Sequence, residues 1–128
     1  AAVPTPGMPG MPGMPRTINV SSRGGGRISD FRTTTARANV AQPCIVQHMS
    51  VRVRGSHSFH GDLVVRLSGP NGQSASLHRR GRSNPFRSYT ISRAIGTQAM
   101  GQWTLSIRDE LRADSGRLNG FNMTITCQ

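Results

Sequence analysis

Lysine is missing from this chain, and acidic residues nearly so. All 16 basic residues are arginine, set against five Asp and Glu, for a net charge of +11. Arginine keeps its charge at any working pH and forks onto carboxylates and phosphates. Such a field favours acidic partners: nucleic acid, anionic cell-surface polymers or acidic proteins. Aromatics are few, with one Trp, one Tyr and four Phe, which leaves few stacking platforms and counts against nucleic acid. No apolar run approaches the roughly 20 residues of a membrane span. Residues 1–16 lack the apolar core of a signal peptide, so the chain is expected to be a mature piece or fragment of something longer. No window sustains a capped helical period, so helices are not expected.

Cysteine is scarce too. Cys44 and Cys127 stand alone, with no CxxC and no metal-ligand spacing around them. Each sits in or beside a predicted strand, at opposite ends of the folded region. A disulfide is preferred over two buried free thiols. Closing so long a loop is worth about 4–5 kcal/mol in the chain-entropy model, and the bond implies an oxidising compartment.

What is present divides the chain into three. Residues 1–16 form a linker in which Pro6-Gly7-Met8, Pro9-Gly10-Met11 and Pro12-Gly13-Met14 repeat with period three. Three triplets are too few for a collagen helix, but proline biases the segment toward an extended tether on the order of 45 Å long. Residues 17–26 are expected to be a flexible Gly/Ser-rich lead-in, with Thr17–Val20 a candidate short strand. Residues 27–128 carry period-two alternation, the mark of half-buried strands. Met49, Val51 and Val53 oppose Ser50, Arg52 and Arg54; Leu63, Val65 and Leu67 oppose Val64, Arg66 and Ser68. Trp103, Leu105 and Ile107 oppose Thr104, Ser106 and Arg108, and Phe121, Met123 and Ile125 oppose Asn122, Thr124 and Thr126. Ala36–Ala41, Ser74–His78 and Tyr89–Arg93 are weaker candidates. Turn residues punctuate these runs. The expected fold is all-β: a β-sandwich of about seven to nine short, mostly antiparallel strands.

Five motifs follow one another in order. Ile28-Ser29-Asp30 stands near the start; His57 precedes Gly61-Asp62-Leu63; Ser68-Gly69-Pro70-Asn71-Gly72 makes a turn. Gly101, Trp103 and Leu105 lead to Asp109, and Asp114, Gly116 and Leu118 precede the last strand. With these residues the chain resembles the P domain (Homo B domain) of kexin- and furin-like proprotein convertases, in its bacterial secreted version. The resemblance covers residues 27–127 and departs from the family pattern over the Arg-rich region 79–100. It implies a jelly-roll sandwich and a secreted, non-catalytic module. Such a module packs on, and helps fold or stabilise, an N-terminal protease catalytic domain of the same polypeptide. In this scaffold Gly61 is expected to permit a tight approach to its strand, Asp62 to accept loop N–H groups, Trp103 to anchor the core, and Gly116 to hold a turn with positive φ.

No site of catalysis is expected. Asp114-Ser115-Gly116 has the sequence of a protease nucleophile but no preceding Gly, and a nucleophile also needs a base and an oxyanion hole. A Gly-x-Ser-x-Gly elbow is absent. His57 and His60, three apart on a strand, face opposite ways, and zinc needs three or four convergent ligands; no metal is assigned. Asp30, Asp62, Asp109 and Asp114 are oxygen donors but form no dense acidic loop, so calcium is not assigned either. The densest basic run gives the candidate binding patch, Arg79, Arg80 and Arg82, for an acidic protein or a cell-surface polymer. The expected function is therefore the non-catalytic C-terminal P domain of a secreted bacterial protease, a serine endopeptidase. The alternative is a basic module for anionic cell-surface polymers; nucleic-acid binding and a cryptic hydrolase rank behind it.

Overall fold

The computed structural model describes residues 16–29, 31–57, 63–79, 84–110 and 116–128. Their alternation becomes ten strands: β1 (Arg16–Ser21), β2 (Arg23–Gly24), β3 (Gly26–Ile28), β4 (Thr33–Val40), β5 (Val46–His57), β6 (Leu63–Ser68), β7 (Ser74–Arg79), β8 (Ser88–Thr90), β9 (Gly101–Asp109) and β10 (Gly116–Cys127). They form two sheets. One runs β1-β10-β5-β8, with β3 also pairing β10; the other runs β2-β4-β9-β6-β7. Every pairing between these strands is antiparallel. The all-β sandwich is the architecture expected from the alternation.

The four strong runs supply the middle of the sandwich. Met49, Val51 and Val53 of β5, and Phe121, Met123 and Ile125 of β10, are buried from one sheet. Leu63, Val65 and Leu67 of β6, and Trp103, Leu105 and Ile107 of β9, are buried from the other, and all belong to one apolar cluster. Their odd-numbered register is fixed, because a slip of one residue would send each set to solvent. Outward positions carry Arg, Ser, Thr and Asn, which is how so basic a chain still buries a core.

Residues 17–26 depart from the expected flexible lead-in. β1 pairs with β10 from Arg16↔Cys127 to Ser21↔Asn122, β2 pairs with β4 and β3 with β10. The glycine triplet that reads as flexible is what carries the chain from one sheet to the other. Gly24, Gly25 and Gly26 have φ of 92°, 100° and 122°, values that L-residues with a Cβ avoid. The candidate strand Tyr89–Arg93 is also modified: β8 ends at Thr90, and a 3-10 turn follows at Ser92–Ala94.

Cys44 and Cys127 form a disulfide across a sequence separation of 83. It ties the last residue of β10 to the segment before β5. Arg16 reinforces the same corner by donating to Gln42 Oε1 (3.0 Å) and to the Pro43 carbonyl (2.6 Å). The linker expected over residues 1–16 lies, except for Arg16, outside the described residues.

Candidate functional site

The described motif residues gather at the two ends of the sandwich. At one end β5 finishes on His57 and β9 on Asp109, one from each sheet. His57 Nε2 lies 3.1 Å from Asp109 Oδ2, and both side chains are fully buried. Asp109 sits opposite Leu63 in the ladder with β6. The Asp109 carbonyl accepts the Phe31 N–H at 2.8 Å, so the turn after Ile28 closes over this corner. Gly116 lies opposite both His57 and Ile28. The pair bridges the sheets inside the apolar layer, where a charged partner has little solvent to compete with it.

Gly116 does not take the expected positive φ; it lies within β10 and is absent from the left-handed residues of the chain. Its requirement is space. A Cβ added there would collide with the Ser56 carbonyl and lie 2.6 Å from His57 Cα. Gly61, Asp62, Asp114, Asp30 and His60 fall outside the described residues, and so do their expected roles.

Trp103 organises the opposite end. It is 1% exposed, and its indole N–H donates to the Ala99 carbonyl at 2.8 Å, so the one polar atom of the ring is satisfied. Gly69 faces the ring closely enough that an added Cβ would stand 2.8 Å from its edge, and Gly101 meets the Pro70 ring at 2.5 Å by the same measure. Gln73, buried behind the Pro-Asn-Gly turn, donates from Nε2 to Thr97 Oγ1 (3.0 Å) and the Gln98 carbonyl (2.9 Å) and accepts the Asn71 N–H (2.8 Å). It fastens the 69–72 turn to the loop before β9.

The described carboxylates are committed internally: Asp109 to His57, and Glu110 to Arg108 Nε at 2.8 Å. Among the described residues no group of three or more His, Cys, Asp or Glu converges on a metal. Arginines instead meet arginines. Arg23 stands opposite Arg37, and Arg27 opposite Arg117, an arrangement that is unfavourable across a ladder without counter-ions. Of the candidate patch, Arg79 is exposed at the end of β7, while Arg80 and Arg82 are outside the described residues.

A second basic feature was not singled out from the sequence. A groove of about 700 Å³ runs between β7 and β8, the outer strands of the two sheets, and receives Arg66, Arg87 and Arg93. The Arg87 guanidinium lies 4.4 Å from the centroid of the Tyr89 ring. Tyr89 donates its hydroxyl to the Pro85 carbonyl. Burial pushes its phenol up, against the opposing pull of Arg87. Only the Arg-rich character of region 79–100 hinted at this groove in the sequence. The His57–Asp109 pair had a clearer signal, since both residues continue the inward-facing alternation of their strands.

The family model of the proprotein convertase P-domain matches residues 46–125, more than half of the chain and the span from β5 through most of β10. The chain belongs to the proprotein convertase P-domain family. Among curated relatives, this P domain is 29% identical over 122 residues to the transglutaminase-activating metalloprotease of Streptomyces mobaraensis, covering 82% of this chain and 16% of that protein. It is 35% identical over 71 residues to leupeptin-inactivating enzyme 1 of Streptomyces exfoliatus, covering 53% of this chain and 16% of the relative. The chain thus spans about one-sixth of each. Among solved structures, the serine protease of Aeromonas sobria superposes with a TM-score of 0.69 at 15% identity, over 94% of this chain and 28% of that one. That likeness is one of fold.

Proposed function

We propose that this chain is the non-catalytic P domain of a secreted bacterial protease, which assists the folding, stability, maturation or substrate positioning of a catalytic domain on its N-terminal side. The observation that carries this reading is the family match over residues 46–125. The one-sixth coverage of a relative named as a metalloprotease is consistent with it. The disulfide suits an oxidising compartment, and the Pro/Gly/Met-rich composition of residues 1–16 suits a junction between domains.

The sequence expectation for the parent is a serine endopeptidase. Fold likeness to the Aeromonas sobria enzyme supports that class, whereas the name of the Streptomyces mobaraensis relative supports a metalloprotease. Two treatments of the full-length parent separate them: a serine-directed acylating inhibitor abolishes activity in the first case, a chelator in the second.

The accessory role is tested by expressing the parent with and without residues 16–128. Peptidase activity is expected to remain with the remainder of the protein, while yield of mature enzyme and its thermal half-life fall. Unchanged maturation and half-life without the domain would refute the proposal, as would peptidase activity in the isolated chain.

A further inference from the structure

The groove between β7 and β8 has the chemistry of a strand acceptor. Each of these strands ends its sheet and has a strand partner on one side only among the described residues. In the ladder joining β8 to β5, the Val53 N–H donates to the Arg87 carbonyl (3.0 Å) and the Ile91 N–H to the Met49 carbonyl (2.9 Å). Backbone groups of an antiparallel strand alternate in direction. The Arg87 carbonyl, Tyr89 and the Ile91 N–H therefore serve β5, while the Arg87 N–H donates to the Pro85 carbonyl (3.1 Å) and the Ile91 carbonyl accepts the Ala94 N–H (3.4 Å). Ser88 and Thr90 direct their backbone groups away from β5, on the groove side where both residues lie. A donor–acceptor row of this kind matches the regular spacing of a peptide backbone in an added strand, whereas the ionised phosphates of a phosphate polymer only accept.

The side chains select the sign of the visitor. Arg66, Arg87 and Arg93 line the groove, all exposed, and none has an acidic partner among the described residues. No Asp or Glu lines it among the described residues. Charged residues on a sheet edge ordinarily repel another copy of the same chain. Here the repulsion falls on basic strands, which this +11 chain presents in abundance, and turns to attraction for an acidic one. The size of the groove, about 700 Å³, is within the usual range for a bound ligand.

We infer that this groove takes an extended acidic segment from the protease portion of the parent polypeptide. The segment adds to the open edge of β8 and places its carboxylates on Arg66, Arg87 and Arg93. The source of the segment rests on the accessory-domain reading above; the recognition chemistry does not.

The test uses the 128-residue chain and a labelled, end-blocked peptide alternating Glu and Thr, followed by fluorescence anisotropy at physiological salt. Binding is expected, and the Gln-for-Glu version of the peptide should bind far more weakly. Arg66→Ser/Arg87→Ser/Arg93→Ser should weaken the acidic peptide roughly tenfold or more. Arg66→Ser/Arg93→Ser, which spares the Arg87–Tyr89 stack, keeps the question open to test if the triple variant melts early. Arg27→Ser/Arg117→Ser, in the other part of the basic field, should change affinity by less than about twofold, since exposed charges beyond a Debye length are screened. Thr90→Pro removes an edge N–H while sparing the β5 ladder, and should abolish binding of the peptide. Unchanged affinity in the arginine variants, or in Thr90→Pro, would overturn the inference. So would a sulfated polysaccharide that binds at the same three arginines more tightly than the peptide. A failure here leaves the deletion experiment on the parent untouched, and a failure there leaves the peptide measurement standing.

Discussion

Asp109 occupies the last inward position of β9 and faces His57 across the sheets, with no solvent on either side chain. Removing one member of such a pair leaves the other buried and short of a partner, at a cost of about 3–5 kcal/mol. Asp109→Leu is therefore expected to lower the urea midpoint sharply, and His57→Leu/Asp109→Leu to recover part of the loss. Simple additivity of the two single changes would show that the pair does not act as a unit. Tyr89 offers a second reading at this scale, because it is the sole tyrosine. Its phenol is held above the ordinary value of about 10 by burial, and Arg87 opposes the rise. The folded state thus binds this proton more tightly than the unfolded one. The stability it contributes is fully present below the unfolded value and is lost as pH climbs through the folded one. A phenolate absorbance titration should give a midpoint above that of free tyrosine, and Arg87→Ser should move it higher still.

Strands reveal what alternation does and does not make visible. The runs 49–53, 63–67, 103–107 and 121–125 are read directly, because each has one face that must be buried. β1 to β3 are harder: Ser21-Ser22-Arg23-Gly24-Gly25-Gly26 has no apolar face of its own and becomes strand only because β4 and β10 offer their edges. The motif around Gly116 was legible as a landmark, but not its reason, since the carbonyl that forbids a side chain belongs to β5, some sixty residues away. The groove was least legible, as β7 and β8 meet only through the stacking of two sheets. Gly116 supplies the prediction at this scale. Its obstacles are backbone atoms that cannot swing aside, so Gly116→Ala should cost about 1–3 kcal/mol through overpacking. Gly72→Ala, with nothing within 4 Å but a φ of +81°, should cost only the left-handed penalty of about 1–2 kcal/mol. A thermal melt in which Gly72→Ala is clearly the worse of the two would reject the steric account.

For the molecule as a whole, the single disulfide holds both sheets to one closed loop. Cys44→Ser/Cys127→Ser is expected to lose about 2–5 kcal/mol, seen as a lower melting temperature that reductant no longer affects. An equal response of wild type and variant to reductant would contradict it. The same bond also decides how the domain bears load. Arg16, where β1 begins, lies beside Cys127, where β10 ends. Force applied to these two points therefore peels β1 from β10 one pair at a time rather than shearing the whole ladder at once. Tension then passes from residues 16–43 through the Cys44–Cys127 bridge and bypasses everything between. Pulled in an oxidising medium, the domain should lengthen by on the order of 100 Å and stop, with β5 to β10 still folded. Only a reductant would release the remainder, so a linker that tugs on this domain strips away β1 to β4, with the Ile28, Ala36, Ala38 and Val40 they add to the core, and leaves the groove outside the load path.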